Sequence, residues 1–124
     1  MVFNTSDIMK IWVDGSGWNG KESKLVIVTE DGKIIKRTFK EKRTNNEMEY
    51  LAIIEALKLC CEGDIIYSDS QLVVNQIKGE YSIRSEKLIP LFLQVLKLKG
   101  EKKAKICWIP REKNIAGNII EGMK

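Results

Sequence analysis

The chain has 124 residues, 44% hydrophobic and 31% charged, with 2 Pro and a net charge of +4. That length suits one domain with a buried core, and the composition excludes a chain dominated by low complexity or disorder. His is absent, which excludes an imidazole base and any His-based metal site.

No apolar run reaches the length of a membrane span. Residues 1–7, expected to form a flexible tail, lack the basic and apolar regions of a signal peptide, so a cytoplasmic location is expected. Cys60, Cys61 and Cys107 show no metal-ligand spacing and are read as reduced, mostly buried small hydrophobes. The mild basic excess is compatible with a nucleic acid partner and decides little alone.

In chain order, residues 10–16 read as a strand whose first four residues, mostly apolar, run into Asp14-Gly15-Ser16. A buried strand ending in an acid and a flexible turn presents a carboxylate at the rim of a sheet, although Asp14 alone also serves simply to start a turn. Residues 24–29 are rich in β-branched side chains, Asp31-Gly32 carries a hairpin signal, and residues 34–40 return as a third strand. The first three strands therefore read as an antiparallel meander.

Thr44-Asn45-Asn46-Glu47 has the spacing of a capping box. A helix follows to Gly63, with Tyr50, Ile53, Ile54, Leu57 and Cys61 as its apolar stripe. Glu49 lies off that stripe, where a solvated surface glutamate and a site residue are both open readings. Asp64 to Ser68 is a short strand, and Asp69-Ser70-Gln71 ends it and starts a helix through Ile77. Strand–helix–strand implies a right-handed crossover, with this strand parallel to the first. Asp14 and Asp69 then reach the same edge of the sheet, where α/β proteins bind ligands.

Residues 84–99 have helical period, with Pro90 forcing either a late start or a kink. The lysines from 97 to 105 read as a solvated basic face. A last strand over 104–109, a charged turn over 110–113 and a weakly helical segment over 114–123 complete the chain.

Three carboxylates from separate elements, with no His or Cys beside them, make an oxygen-only site suited to Mg²⁺ or Mn²⁺. Acids so placed repel unless cations lie between them, and two divalent ions shared by carboxylates recur in phosphodiester hydrolysis.

Four motifs carry a family resemblance: Asp14-Gly15-Ser16; Thr44-Asn45-Asn46-Glu47-Met48-Glu49; Ser68-Asp69-Ser70-Gln71; and Trp108-Ile109-Pro110-Arg111-Glu112-Lys113-Asn114. In this order, over nearly the whole chain, they resemble the type 1 ribonucleases H. The resemblance implies a single RNase H domain over 1–124, with a five-stranded mixed sheet flanked by helices. It also implies hydrolysis of the RNA strand of RNA–DNA hybrids with two Mg²⁺ or Mn²⁺ ions. Asp14, Glu49 and Asp69 match the metal-binding acids, and Gly15 and Ser16 lie in the substrate-contacting turn. Asn45, Asn46 and Gln71 match residues that touch the hybrid in its minor groove, where a 2′-hydroxyl distinguishes RNA from DNA. Thr44 matches a contact to a DNA-strand phosphate; Thr44 and Asn46 also read as plain helix caps.

Two departures stand out. Asn114-Ile115-Ala116-Gly117-Asn118 places Asn118 where the family has its fourth metal-binding Asp. An amide oxygen coordinates a cation without contributing negative charge, so a weaker second metal site is expected. The flexible His of many members is missing, and Arg111 is the candidate for a partial catalytic substitute, with an ordinary surface charge as the alternative. The family's basic protrusion is missing too, which implies weaker hybrid binding. The rival reading is a weak or inactive module that binds hybrid or double-stranded RNA. A nuclease of the same fold with another substrate is a third. A monomer without an obligate protein partner is expected.

Overall fold

The computed structural model of the chain describes residues 8–123, so the expected tail over 1–7 lies outside the described residues. Five strands, β1 (Lys10–Ser16), β2 (Ser23–Thr29), β3 (Ile34–Phe39), β4 (Ile65–Ser68) and β5 (Lys105–Trp108), form one sheet in the order β3-β2-β1-β4-β5. β1–β2 and β2–β3 are antiparallel, whereas β1–β4 and β4–β5 are parallel. This is the expected mixed sheet, and the helices α1 (Asn45–Leu59), α2 (Gln71–Ile77), α3 (Ile89–Lys102) and α4 (Ile115–Gly122) flank it.

Period-2 alternation in β1 and β2 sends side chains to two separate cores. Ile11, Val13, Leu25 and Ile27 join Ile53, Ile54, Leu57 and Val95 in the larger core with α1 and α3. Val26 and Val28 pack instead with Ala116 and Ile120 of α4. The sheet is therefore covered on both faces, and α4 sits across from α1. Buried Lys24, on β2, donates from Nζ to the Met123 carbonyl at 2.7 Å and ties down the end of α4.

Local signals explain the helix starts. The Thr44 hydroxyl accepts from the Glu47 amide at 3.1 Å, and the Glu47 carboxylate accepts from the Thr44 amide at 3.0 Å, completing the capping box. Pro90 is the second residue of α3, where a missing N–H leaves no helical bond unmade, so this helix starts late rather than kinking.

α1 ends at Leu59, short of the expected Gly63, and Cys60 takes up extended backbone as its cap. The rotation of the chain there buries Cys60 and exposes Cys61, while Cys107 is half-buried. The expected apolar stripe through Cys61, and three mostly buried cysteines, are corrected accordingly. Among the described residues, no helix is long and apolar enough to cross a membrane.

Candidate active site

The carboxyl end of β1 passes unusually close to the first turn of α1. A Cβ built on Gly15 would lie 2.3 Å from the Met48 carbonyl carbon and oxygen, and one on Gly17 would lie 2.6 Å from the Asn45 nitrogen. Only glycine admits this approach. Two bonds fasten it: the Gly15 amide donates to Glu49 Oε1 at 3.1 Å, and the Gly17 amide donates to Asn45 Oδ1 at 2.7 Å. Glu49 is thereby drawn off the solvent face of α1 and buried beside Asp14, which removes the surface-glutamate reading.

The parallel β1–β4 pairing delivers Asp69 from the end of β4 to the same edge. Asp14, Glu49 and Asp69 each offer a carboxylate oxygen, and the three oxygens lie within 4.8 Å of one another. The Ser68 hydroxyl donates to Glu49 Oε2 at 3.4 Å. Asn114, fully buried at the start of α4, donates to Asp69 Oδ2 at 2.8 Å and to the Val13 carbonyl at 2.9 Å. Its own Oδ1 accepts from the Ala116 amide, so a single side chain caps α4 and locks it to Asp69.

Arg111 closes the cluster. Its Nη1 lies 3.1 Å from Asp14 Oδ2 and 3.2 Å from Asp69 Oδ2, and its Nη2 lies 2.9 Å from Glu121 Oε1. Burial raises Asp14 above the usual carboxylate range, and the charge on Asp69 adds to this. Glu49 is pushed well above it, first by burial and then by Asp14. Partial burial opposes the charge on Arg111, but Asp14, Asp69 and Glu121 outweigh it and hold the guanidinium more firmly protonated than usual.

One group is left short. Asp14 Oδ1 is buried and has no donor assigned to it among the described residues. A buried carboxylate oxygen without a donor is costly unless something positive completes it. Asp14 also offers one of three hard carboxylate oxygens within 4.8 Å of one another, a set that fits a divalent cation such as Mg²⁺ or Mn²⁺. The cluster opens into a cavity of about 330 Å³ lined by Asp14, Gly15, Ser16, Asn45, Asn46, Glu49, Asp69, Ser70, Arg111, Ile120 and Glu121.

With the site laid out, comparison with known proteins decides the family. The family model described as RNase H matches residues 6–120. The chain belongs to the RNase H family. It is 32% identical over 76 residues to the Bifunctional protein Rv2228c of Mycobacterium tuberculosis, and the match spans 57% of this chain and 21% of that relative. The chain thus spans about a fifth of the length of the curated relatives it matches. LC11-RNase H1, solved in complex with RNA/DNA hybrid, is 26% identical, covering 94% of this chain and 99% of that one with a TM-score of 0.71. RNase H1 from the halophilic archaeon Halobacterium salinarum NRC-1 is 25% identical, covering 90% and 92%, with a TM-score of 0.72.

Within this RNase H chain, the residues implied by the motifs fall in three places. Asp14, Gly15, Ser16, Asn45, Asn46, Glu49, Asp69 and Arg111 share one cavity. Thr44 caps α1 beside it, and Gln71 is exposed as the first residue of α2. Asn118 stands apart: it is exposed on α4 and does not line the cavity, because the helix turns about 100° per residue and Gly117 holds the inward position. Asn114 ends the fourth motif without a role assigned to it there, and Glu121 lies outside the motifs. The Asn114 signal was present, since an Asn directly before a helical segment is a cap. Glu121 was visible only as the residue one turn beyond Gly117.

Proposed function

We propose that this protein is a nuclease that hydrolyses the RNA strand of RNA–DNA hybrids with divalent metal ions, through a two-ion mechanism. The observation that carries this reading is the gathering of carboxylate oxygens of Asp14, Glu49 and Asp69 within 4.8 Å of one another, in a cavity lined also by Asn45 and Asn46. Membership of the RNase H family and the hybrid bound by LC11-RNase H1 support the choice of substrate.

Asp14, Glu49 and Asp69 would hold the ions. When bound, such ions activate the attacking water and stabilise the leaving oxygen of the phosphodiester. The chain supplies the rest. Asn45 and Asn46, at the start of α1, face the cavity and offer amides to the minor groove of a hybrid, where the 2′-hydroxyls lie. The Gly15 and Gly17 amides fix Glu49 and Asn45 to one rigid strand end, so the metal-binding acids and the groove-reading amides keep a common register. Arg111 neutralises Asp14 and Asp69 and offers a fork of donors suited to a phosphate, but it cannot take a proton from water at neutral pH.

The test is cleavage of a hybrid with the two strands labelled differently, in Mg²⁺, Mn²⁺ or EDTA. Metal-dependent loss of the RNA strand alone is the expected result. A hybrid that is bound yet left intact in both metals would overturn the enzyme and leave a binding module.

A further inference from the structure

Asn118, the position the motif offers as a fourth metal ligand, is exposed and does not line the cavity, whereas Glu121 does. We propose that Glu121 is the fourth carboxylate of the divalent-cation site, with Arg111 as its counter-ion while no cation is bound; this rests on the metal-dependent reading above.

The geometry begins with α4. Residues four apart on a helix share a face, so 117 and 121 point the same way. The direction is given by Gly117, whose Cβ would stand 3.4 Å from Asp69 Oδ2 and 3.4 Å from Arg111 Cζ. Glycine leaves that turn of the face without a side chain, and the next turn supplies a glutamate long enough to reach back. Its Oε1 meets Arg111 Nη2 at 2.9 Å, while Nη1 of the same guanidinium bridges Asp14 and Asp69 at 3.1 and 3.2 Å. One planar group thus assembles the carboxylates of three elements around itself. Glu121 lines the cavity with Asp14, Glu49 and Asp69.

A second observation, on the buried oxygen that Arg111 does not reach, points to a ligand. Arg111 occupies only Oδ2 of Asp14; Oδ1 remains buried, with no donor assigned to it among the described residues. A single monovalent cation therefore leaves the site short of positive charge. Arg111 and Glu121 are both about half exposed, at 50% and 54% of their side chains. A pair so open to water is weakly held and exchangeable. A divalent cation drawn to Asp14 and Asp69 competes directly with Nη1, and displacement of Arg111 frees the Glu121 carboxylate to swing from the guanidinium towards the incoming charge. The arginine, released from its acids, is then available to a phosphate.

The test measures Mn²⁺ binding rather than turnover, by the electron paramagnetic resonance signal of free Mn²⁺ and by calorimetric titration. The proteins are the native chain, Glu121→Gln, Glu121→Asp, Asn118→Ala and Asp14→Asn, each with a metal-free melt. Loss of one ligand carboxylate is expected to weaken Mn²⁺ binding by about tenfold in Glu121→Gln. Partial retention is expected in Glu121→Asp, and binding within about twofold of native in Asn118→Ala. Binding lost in Asn118→Ala and kept in Glu121→Gln would overturn the assignment. So would a Glu121→Gln protein that melts lower without metal but binds Mn²⁺ normally, since that describes a purely structural ion pair. If the native chain and Asp14→Asn bind Mn²⁺ alike, the metal-site reading itself fails, a result distinct from failure at Glu121 alone.

Discussion

Asp14 and Asp64 sit at opposite ends of the same β1–β4 strand pair and are equally hidden, at 1% and 2% exposure. Their surroundings differ completely. Both oxygens of Asp64 are taken by backbone amides, Oδ1 by Met9 at 3.0 Å and Oδ2 by Cys61 at 2.8 Å. Asp14 takes a movable guanidinium on Oδ2, while its Oδ1 has no donor assigned among the described residues and its carboxyl lies against that of Glu49. Burial of a carboxylate is thus not by itself a sign of function. An aspartate whose acceptor capacity is spent on the main chain stitches a fold together, whereas one left short, among other acids, is equipped to receive a ligand.

The largest effect that sharpens this contrast is expected at Asp14. Asp14→Asn should lower RNA-strand cleavage by about 10³-fold or more, several kcal/mol of barrier. It should also raise the metal-free melting temperature, because it removes a charge from a cluster of like charges. A cleavage time course and a thermal melt on the same sample check both halves, and a variant that lost cleavage by unfolding would break the contrast.

Asp64→Ala should do the reverse. It strands two amides near the start of β4, at a cost of about 2–4 kcal/mol in a denaturant titration. Its metal-saturated cleavage rate should stay native under folding conditions.

Arg111→Ala comes next in size. Removing the resident cation from Asp14 and Asp69 should tighten Mn²⁺ binding by about two- to fivefold, the scale of an exposed ion pair. Weaker binding would show that Arg111 organises the acids for metal rather than competing with it.

The smallest effect extends the pairing rule to a neutral group. Tyr50, fully buried, donates its hydroxyl to Gln76 Oε1 at 2.8 Å, and burial pushes its ionisation from 10.0 up to about 12. The unfolded chain gives up that proton near its ordinary value. Stability from the protonated hydroxyl is therefore present below about pH 10 and is lost as pH rises towards 12. Tyr50→Phe should flatten this alkaline slope in a pH series of melts.

Much of this was legible in the chain itself. The strand ending in Asp14, the capping box at Thr44 and the crossover to Asp69 depend on local patterns, and each survives folding because neighbouring elements agree with it. The meander of β1 to β3 and the parallel setting of β4 followed from short turns and one handed crossover, whereas the five-stranded sheet as a whole followed only from the family resemblance.

Two features were not legible, both for reasons of rotation. α1 stops at Leu59 because Cys60 turns extended there, so the buried cysteine is one residue earlier than helical spacing extrapolates. On α4, the motif names position 118, but Gly117 faces Asp69, and this orients the helix so that Glu121 reaches the site. A helix rotation is set by what packs beneath it, here Ala116 and Ile120 on Val26 and Val28, and no local spacing reports that. Glu49 was an intermediate case, since its burial depends on the close approach of Gly15 in another element.

The central claim, that the unpartnered Asp14 marks a divalent-cation site and the fully bonded Asp64 does not, is tested most directly by anomalous diffraction from crystals grown with Mn²⁺. The account predicts anomalous density among Asp14, Glu49 and Asp69 and none at Asp64. Crystals saturated with Mn²⁺ that show no density at Asp14, or show it at Asp64 instead, would contradict it.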